Sequence, residues 1–362
     1  MLDFVSKGRI SAPVEITFQS VGDYPYHWHD CLEIIFVLQG TIQIFAGTEN
    51  ILLNTGDIEI INFNEIHRIV GKPGNIVLSL KIQGKFSKEF ITDIKDIVFN
   101  SMVVPYHEQK REEIGILGNL IAKFALSVGG NVVKVDNNTK SDINEILLYL
   151  TNNFDIVIHT LKSKSVSSDE RNILLARYRR ITNYIYTNFS DKIGLREIAE
   201  KENLSLYFLS HEIKNLFGDG FQELLNFRRI HKSMKLLLDS DMNLTEIAYE
   251  CGYSAPRYFS QYFRKILGTT PLKFRKQFRQ AWEQKNSQKW KNDIDTDSAL
   301  KVLESYLLSD KLQNEYDFSK KTGGVTLIHL EPDVAKIFPD SKSVNEALRA
   351  FAKIMHQQNK SY

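Results

Sequence analysis

Cysteine is almost missing from this chain, which has 2 in 362 residues, Cys31 and Cys251, far apart in the sequence. That excludes a disulfide-stapled scaffold and predicts a reducing compartment, the cytoplasm. Long hydrophobic runs are missing too. No stretch approaches the length of a membrane span, and the start Met1-Leu-Asp-Phe-Val-Ser-Lys7 lacks a signal-peptide pattern, so no membrane partner is expected. Charge of one sign is missing as well: 46 Lys and Arg stand against 44 Asp and Glu, a net charge of +2. Any basic surface must therefore come from local distribution. What remains is ordinary: 43% hydrophobic and 25% charged residues, in a chain long enough for two or three domains with cores of their own.

Residues 191–279 contain two stretches that repeat each other. Leu195-Arg-Glu-Ile-Ala199 and Leu244-Thr-Glu-Ile-Ala248 each open a short helix. A tight connection follows, then a longer helix that starts after Ser205 or Ser254 and stops at Gly218 or Gly268. Ser is a preferred N-cap, Pro256 is harmless in a first helical turn, and Gly suits the left-handed residue that ends a helix. Phe259 and Phe263, like Leu209 and Ile213, lie four apart and predict core faces. The plan is a helix-turn-helix, made twice, whose second helices enter DNA major grooves. The outward faces then present Tyr207, Ser210, His211 and Lys214 in the first unit, and Arg257, Ser260, Gln261 and Arg264 in the second. Arg257 and Gln261 are expected to read base edges, with Tyr207, Ser210 and His211 as their counterparts. Lys214, Arg264, Lys265 and Arg275 are assigned to phosphates. Between Arg257 and Lys291 ten Lys and Arg residues face Glu283 alone, a phosphate-binding footprint when it adjoins such helices. Cys251, in the turn of the second unit, is read as a small buried residue.

Ile247-Ala248, Gly252-Tyr253, Arg257-Tyr-Phe-Ser260, Phe263-Arg-Lys265, Gly268-Thr-Thr-Pro271 and Phe274-Arg275 together resemble the C-terminal signature of AraC/XylS-type transcription regulators. The bridging stretch Phe221–Ser240 fits the same pattern, with Ser233 standing where a small Ala is usual. The resemblance implies two sub-domains joined by a stiff helix, with recognition helices roughly 34 Å apart along the duplex.

Residues 10–84 read as strands: Ile16–Ser20, Leu32–Leu38, Thr41–Ala46, Asn50–Leu53, Ile58–Asn62, Glu65–Val70 and Ile76–Ile82. Short strands at this spacing predict a small sandwich or barrel of the jelly-roll kind. His27-Trp-His-Asp-Cys-Leu-Glu33 puts His27, His29 and Glu33 on one face by period two, and His67 reaches them from a neighbouring strand. The stretch resembles the cupin-like barrel of many AraC-type regulators, which implies that His27, His29, Glu33 and His67 line a small-molecule effector pocket. Three imidazoles and a carboxylate are also a metal-ligand set, although the Pro-x-Gly of metallo-cupins is missing before His67.

The expected architecture is multidomain: a cupin-like effector-binding barrel over 1–84, a helical dimerisation and linker region over 85–165, and an all-α double helix-turn-helix domain over 170–285. Helices are expected at Phe86–Phe99, Glu108–Val128, Asp142–Phe154 and Glu170–Asn188, with a flexible loop between the second and third and a linker at Lys162–Asp169. An acidic helical spacer should fill 286–322, and a strand-helix-helix module 323–362. That tail weakly resembles ribbon-helix-helix or antitoxin-type modules and would pair with a second copy or a protein partner. The function expected is ligand-responsive regulation of transcription, by a homodimer on double-stranded DNA, with no catalysis and no cofactor. A metal-dependent cupin enzyme fused to a DNA-binding domain is the alternative, and a DNA-binding adaptor with a degenerate, filled barrel is a third reading.

Overall fold

The computed structural model describes residues 12–46, 49–92, 94–99, 111–129, 131–132, 135–154, 168–217, 220–283 and 291–321. Eight strands form the N-terminal domain: β1 (Val14–Val21), β2 (Asp23–His27), β3 (Cys31–Gln39), β4 (Thr41–Ala46), β5 (Glu49–Asn54), β6 (Ile58–Ile61), β7 (His67–Gly71) and β8 (Ile76–Gln83). The seven predicted strands are among them. They lie in two sheets, one ordered β1-β8-β3-β6 and the other β2-β7-β4-β5. Among the described residues no ladder joins the two sheets, so the expected barrel is an open sandwich instead.

Strand alternation divides β3 between two cores. Ile34, Phe36 and Leu38 face a helical layer, while Ile35 and Val37 join Ile42, Ile44, Leu53 and Ile69 between the sheets. Both faces are covered, which explains why the strand reads as an unbroken apolar run. Glu33 falls on the inner face, as do Ser79 and Lys81 of the adjacent β8, whose Leu78, Leu80 and Ile82 face the helices. The helical layer is α2 (Arg111–Val128) and α3 (Asn137–Asn153), with Ile114, Leu117, Ile121, Ile143 and Leu147 turned to the sheet. The helix expected over 86–99 is instead the single turn α1 (Gly84–Ser87) followed by irregular chain and a 3-10 turn at Ile94–Asp96.

Three strands escape the sequence reading. β2 carries Pro25 and a register break, tolerable because it lies at a sheet edge. The expected loop after α2 contains β9 (Asn131–Val132), which pairs with the outer edge of β1. Further along the same edge pairs β10 (Lys291–Asp293). After β10 comes α11 (Thr296–Lys321), whose Ala299 and Leu303 are fully buried among α2, α3 and the sheet, and whose Tyr306 ring meets Phe36 edge-on. The part of the predicted spacer from Lys291 to Leu307 therefore packs on the sensor. The chain leaves this domain after α3 and returns to it through β10, so the helical reader is tied to it at both ends.

The reader comprises α4 (Ser168–Asn188), α5 (Leu195–Lys201), α6 (Leu206–Phe217), α7 (Phe221–Asp239), α8 (Leu244–Glu250), α9 (Pro256–Leu267) and α10 (Pro271–Glu283). Ser205 Oγ accepts from Phe208 N at 3.1 Å, as expected of an N-cap. Ser254 does not cap: Pro256 forces its predecessor to be extended, and Ala255 takes the N-cap position at φ −158°. Gly268 ends α9 at φ +67°. Gly218, most of the 162–169 linker and the strand-helix-helix module at 323–362 lie outside the described residues.

Candidate effector site and nucleic-acid interface

His27, His29, Glu33 and His67 meet between the sheets, all 1% exposed or less, each with a donor atom within 4.8 Å of the others. The register explains the meeting: His27 of β2 pairs directly with His67 of β7, and Glu33 lies across the sandwich on β3. His27 Nδ1 donates to Pro25 O and His67 Nδ1 to Glu65 O, each at 3.0 Å. A carbonyl only accepts, so these bonds fix the proton on Nδ1 and turn an Nε2 lone pair inward. His29 faces an acceptor on both sides, Cys31 O at 3.3 Å and Glu33 Oε2 at 2.7 Å, although one neutral imidazole carries one proton. Burial pushes its pKa down, against a second proton. His67 Nε2 lies 3.3 Å from the same Oε2.

On the far side of the carboxylate, Ser79 Oγ donates to Glu33 Oε1 at 2.5 Å and Lys81 Nζ stands at 3.7 Å. Burial alone would raise the Glu33 pKa, but the Lys81 ammonium and the bond from His29 outweigh it. They hold the carboxyl well below the usual range, and the group stays charged. The centre is thus rich in inward acceptors, and a cation satisfies it. Three imidazole nitrogens and one carboxylate suit a divalent first-row transition ion, and the Pro25 and Glu65 carbonyls hold two of the rings in orientation. The four residues expected to line the effector pocket are thus brought together at one buried centre.

In the reader, α6 turns Leu209 and Ile213 into a core with Tyr178, Ile181 and Ile198, and exposes Tyr207 (83%), Ser210, His211 and Lys214. On α9, Phe259 and Phe263 are fully buried, while Arg257, Gln261, Arg264 and Lys265 are exposed and Ser260 is half-buried. Arg257 lies on Tyr258, with its guanidinium 4.7 Å from the ring centroid and donating to the hydroxyl.

Arg275 departs from the expectation. Its guanidinium donates to Leu237 O at 3.0 Å and Met242 O at 2.7 Å, so it clasps the end of α7 and is not held out for phosphate. Arg279 joins it on Leu237, Leu238 and Ser240 carbonyls. Arg229 does the same in the first unit, donating to Phe189 O and Asp191 O. Arg229 and Arg279 each sit eight residues into a helix that follows a recognition helix, a repeat the sequence reading missed. It also missed the capping box of Asn243 and Glu246 on α8, although the Asn-x-x-Glu spacing signals one.

Residues 16–106 match the model of the AraC-like ligand binding domain, and residues 198–277 that of a helix-turn-helix domain. These are the two domains of AraC-type transcription regulators, and the relatives of the chain are regulators of that kind. The chain is 25% identical over 279 residues to the transcriptional activator RhaS of Escherichia coli, covering 76% of this chain and 95% of RhaS. With the regulator YdeC of Bacillus subtilis it shares 25% over 274 residues, 71% of this chain and 88% of YdeC. Among solved structures, the C-terminal domain of AraT, a response regulator from Geobacillus stearothermophilus, is 36% identical, covering 28% of this chain and 84% of that one, with a TM-score of 0.27. The chain thus joins an N-terminal ligand-binding domain to C-terminal helix-turn-helix DNA binding.

Proposed function

We propose that this regulator senses a divalent transition-metal ion, bound by His27, His29, Glu33 and His67, and that this ion is the ligand of its N-terminal domain. The observation that carries the reading is the convergence of His29 Nε2 and His67 Nε2 on one carboxylate oxygen, with a His27 nitrogen within 4.8 Å of the set. The bound ion would supply charge to tie the four groups together; Ser79 and Lys81 keep Glu33 ionised and oriented. Burial of all four donors favours sensing over turnover, and the protein is read as a regulator and not an enzyme.

Arg257 and Gln261 read bases, with Tyr207, Ser210 and His211 as the matching set, and Lys214, Arg264 and Lys265 hold phosphates. Their exposure on the faces opposite the buried Leu209, Ile213, Phe259 and Phe263 supports these roles. The protein acts in the cytoplasm as a homodimer on duplex DNA. The pairing surface is α2 and α3, where Ile116 (42%) and Leu148 (46%) are exposed on the side away from the sheet. Residues 323–362 remain the candidate for a protein partner.

The experiment is metal loading of the full chain. Purified protein incubated with Co2+ should take up one ion per chain with visible absorption from imidazole coordination, and His29→Ala should lose both. Stoichiometric loading that survives His29→Ala would overturn the assignment.

A further inference from the structure

The residues beside the donors perform a different task from the donors themselves. Tyr26 and Trp28 alternate with His27 and His29, and Ile66 precedes His67. Side chains of adjacent extended residues point to opposite faces. The histidines enter the sandwich. Tyr26, Trp28 and Ile66, all buried, instead enter the core of the second helix-turn-helix unit, with Ile230, Met234, Leu237, Phe274 and Phe278. Tyr26 meets Phe278 edge-on at 4.8 Å and Phe274 at 5.4 Å. Lys235 of α7 extends over the Trp28 ring and donates to Asn64 O, beside Ile66. Arg68, next to His67, lies 5.4 Å from the Phe278 ring.

We infer that the Tyr26–His29 and Ile66–Arg68 segments form a latch, in which occupancy of the inward histidines sets how firmly the sensor holds α7 and α10 of the second reading unit. This rests on the metal reading above. The three imidazole ligands are the three residues interleaved with the three dock residues, so neither set can shift without the other. Ion bonds of about 2.0–2.2 Å would replace the present contacts, His29 Nε2 at 2.7 Å and His67 Nε2 at 3.3 Å from Glu33 Oε2. Repositioning these donors moves the two segments whose other faces are the dock. The signal passes through one peptide bond at each position, with no long relay. Among the described residues the core of the first unit holds no sensor side chain, although α4 touches the sensor at Ile94–Asp96.

Hydrogen exchange on the full chain tests this, with Co2+ as the probe and its absorption as an independent record of binding. Loading should slow exchange in 230–238 and 271–278 by roughly five- to a hundred-fold, the ordinary span of coupling between two sites, and leave 206–217 unchanged. Trp28→Ala and the milder Ile66→Ala face away from the donors. Each should still bind Co2+ and lose the exchange response. Co2+ binding with no response at 230–238 and 271–278, or a response that persists in both variants, overturns the latch and leaves the metal site standing. If wild type binds no Co2+, the metal reading has failed. The latch is then decided by Glu33→Gln, which disturbs the histidines from inside: it should quicken exchange at 271–278, and an unchanged rate overturns it.

Discussion

The two helix-turn-helix units share a plan and differ in what holds them. Each has a turn residue at positive φ eight positions into its repeat, Asn203 (φ 53°) in the first and Gly252 (φ 79°) in the second. In each, the next residue's N–H reaches back to an alanine carbonyl, Leu204 to Ala199 and Tyr253 to Ala248. The first unit closes its core with α4, through Tyr178, Ile181 and Ile185, and with the start of α7, through Leu224. The second closes its core with three sensor residues and stands only a short connection from β10, which is itself a strand of the sensor sheet. The difference teaches that a duplicated fold need not be a duplicated role. One unit keeps sensor side chains out of its described core, and the other takes three of them into its own.

The turn residues offer the largest expected contrast. A Cβ on Gly252 would stand 2.4 Å from Ser190 O, so Gly252→Ala meets both the left-handed backbone and a collision with the first unit's exit loop. A loss of roughly 2–3 kcal/mol in urea unfolding is expected, against about 1 kcal/mol for Asn203→Ala, where φ alone is at issue. Equal losses would mean that the units do not touch through this turn.

On DNA the expected effects are smaller. Arg257→Ala should cost about 1–2 kcal/mol on the specific site and little on random sequence, with release of its stacking on Tyr258 setting the lower figure. Equal losses on both DNAs would reassign it to phosphate. Tyr207→Ala tests the equivalent face of the first unit in the same assay.

A pH effect is expected where α7 meets the sensor. Burial, then the nearby Arg228 and Lys232, push the Lys235 ammonium down to about 7, with Glu65 opposing. An undocked Lys235 would titrate near the ordinary lysine value of about 10.4. Between those values the undocked state binds more protons, so docking strengthens as pH rises above 7. Exchange at 271–278 should slow accordingly, and Lys235→Met should abolish that dependence. The smallest effect concerns Lys265→Ala, which should lower the salt slope of DNA binding by roughly one unit. An unchanged slope would remove it from the phosphate set.

The reader was legible because its repeat is local: caps, four-residue core spacing and stop glycines all lie within twenty residues of one another. The inward facing of His27, His29, Glu33 and His67 was legible from strand period and emerges between the sheets as one centre. The task of Tyr26 and Trp28 was not, because alternation says that two faces exist and not what covers the second. Arg275 misled for a related reason. A guanidinium in a basic run looks solvent-bound until the carbonyls at the end of α7 are brought beside it. β10 was invisible because three residues carry no period, and its partner lies some 270 positions earlier.

The central claim is that the sensor and the second unit form one cooperative body, while the first unit does not belong to it. Denaturant-dependent native-state hydrogen exchange tests that most directly. The account predicts that amides of Phe259, Phe263 and Phe274 share one opening free energy and one denaturant slope with Ile69 of β7, and that Leu209 and Ile213 open separately at lower free energy. Both helix-turn-helix units opening together, apart from the sensor strands, would contradict it.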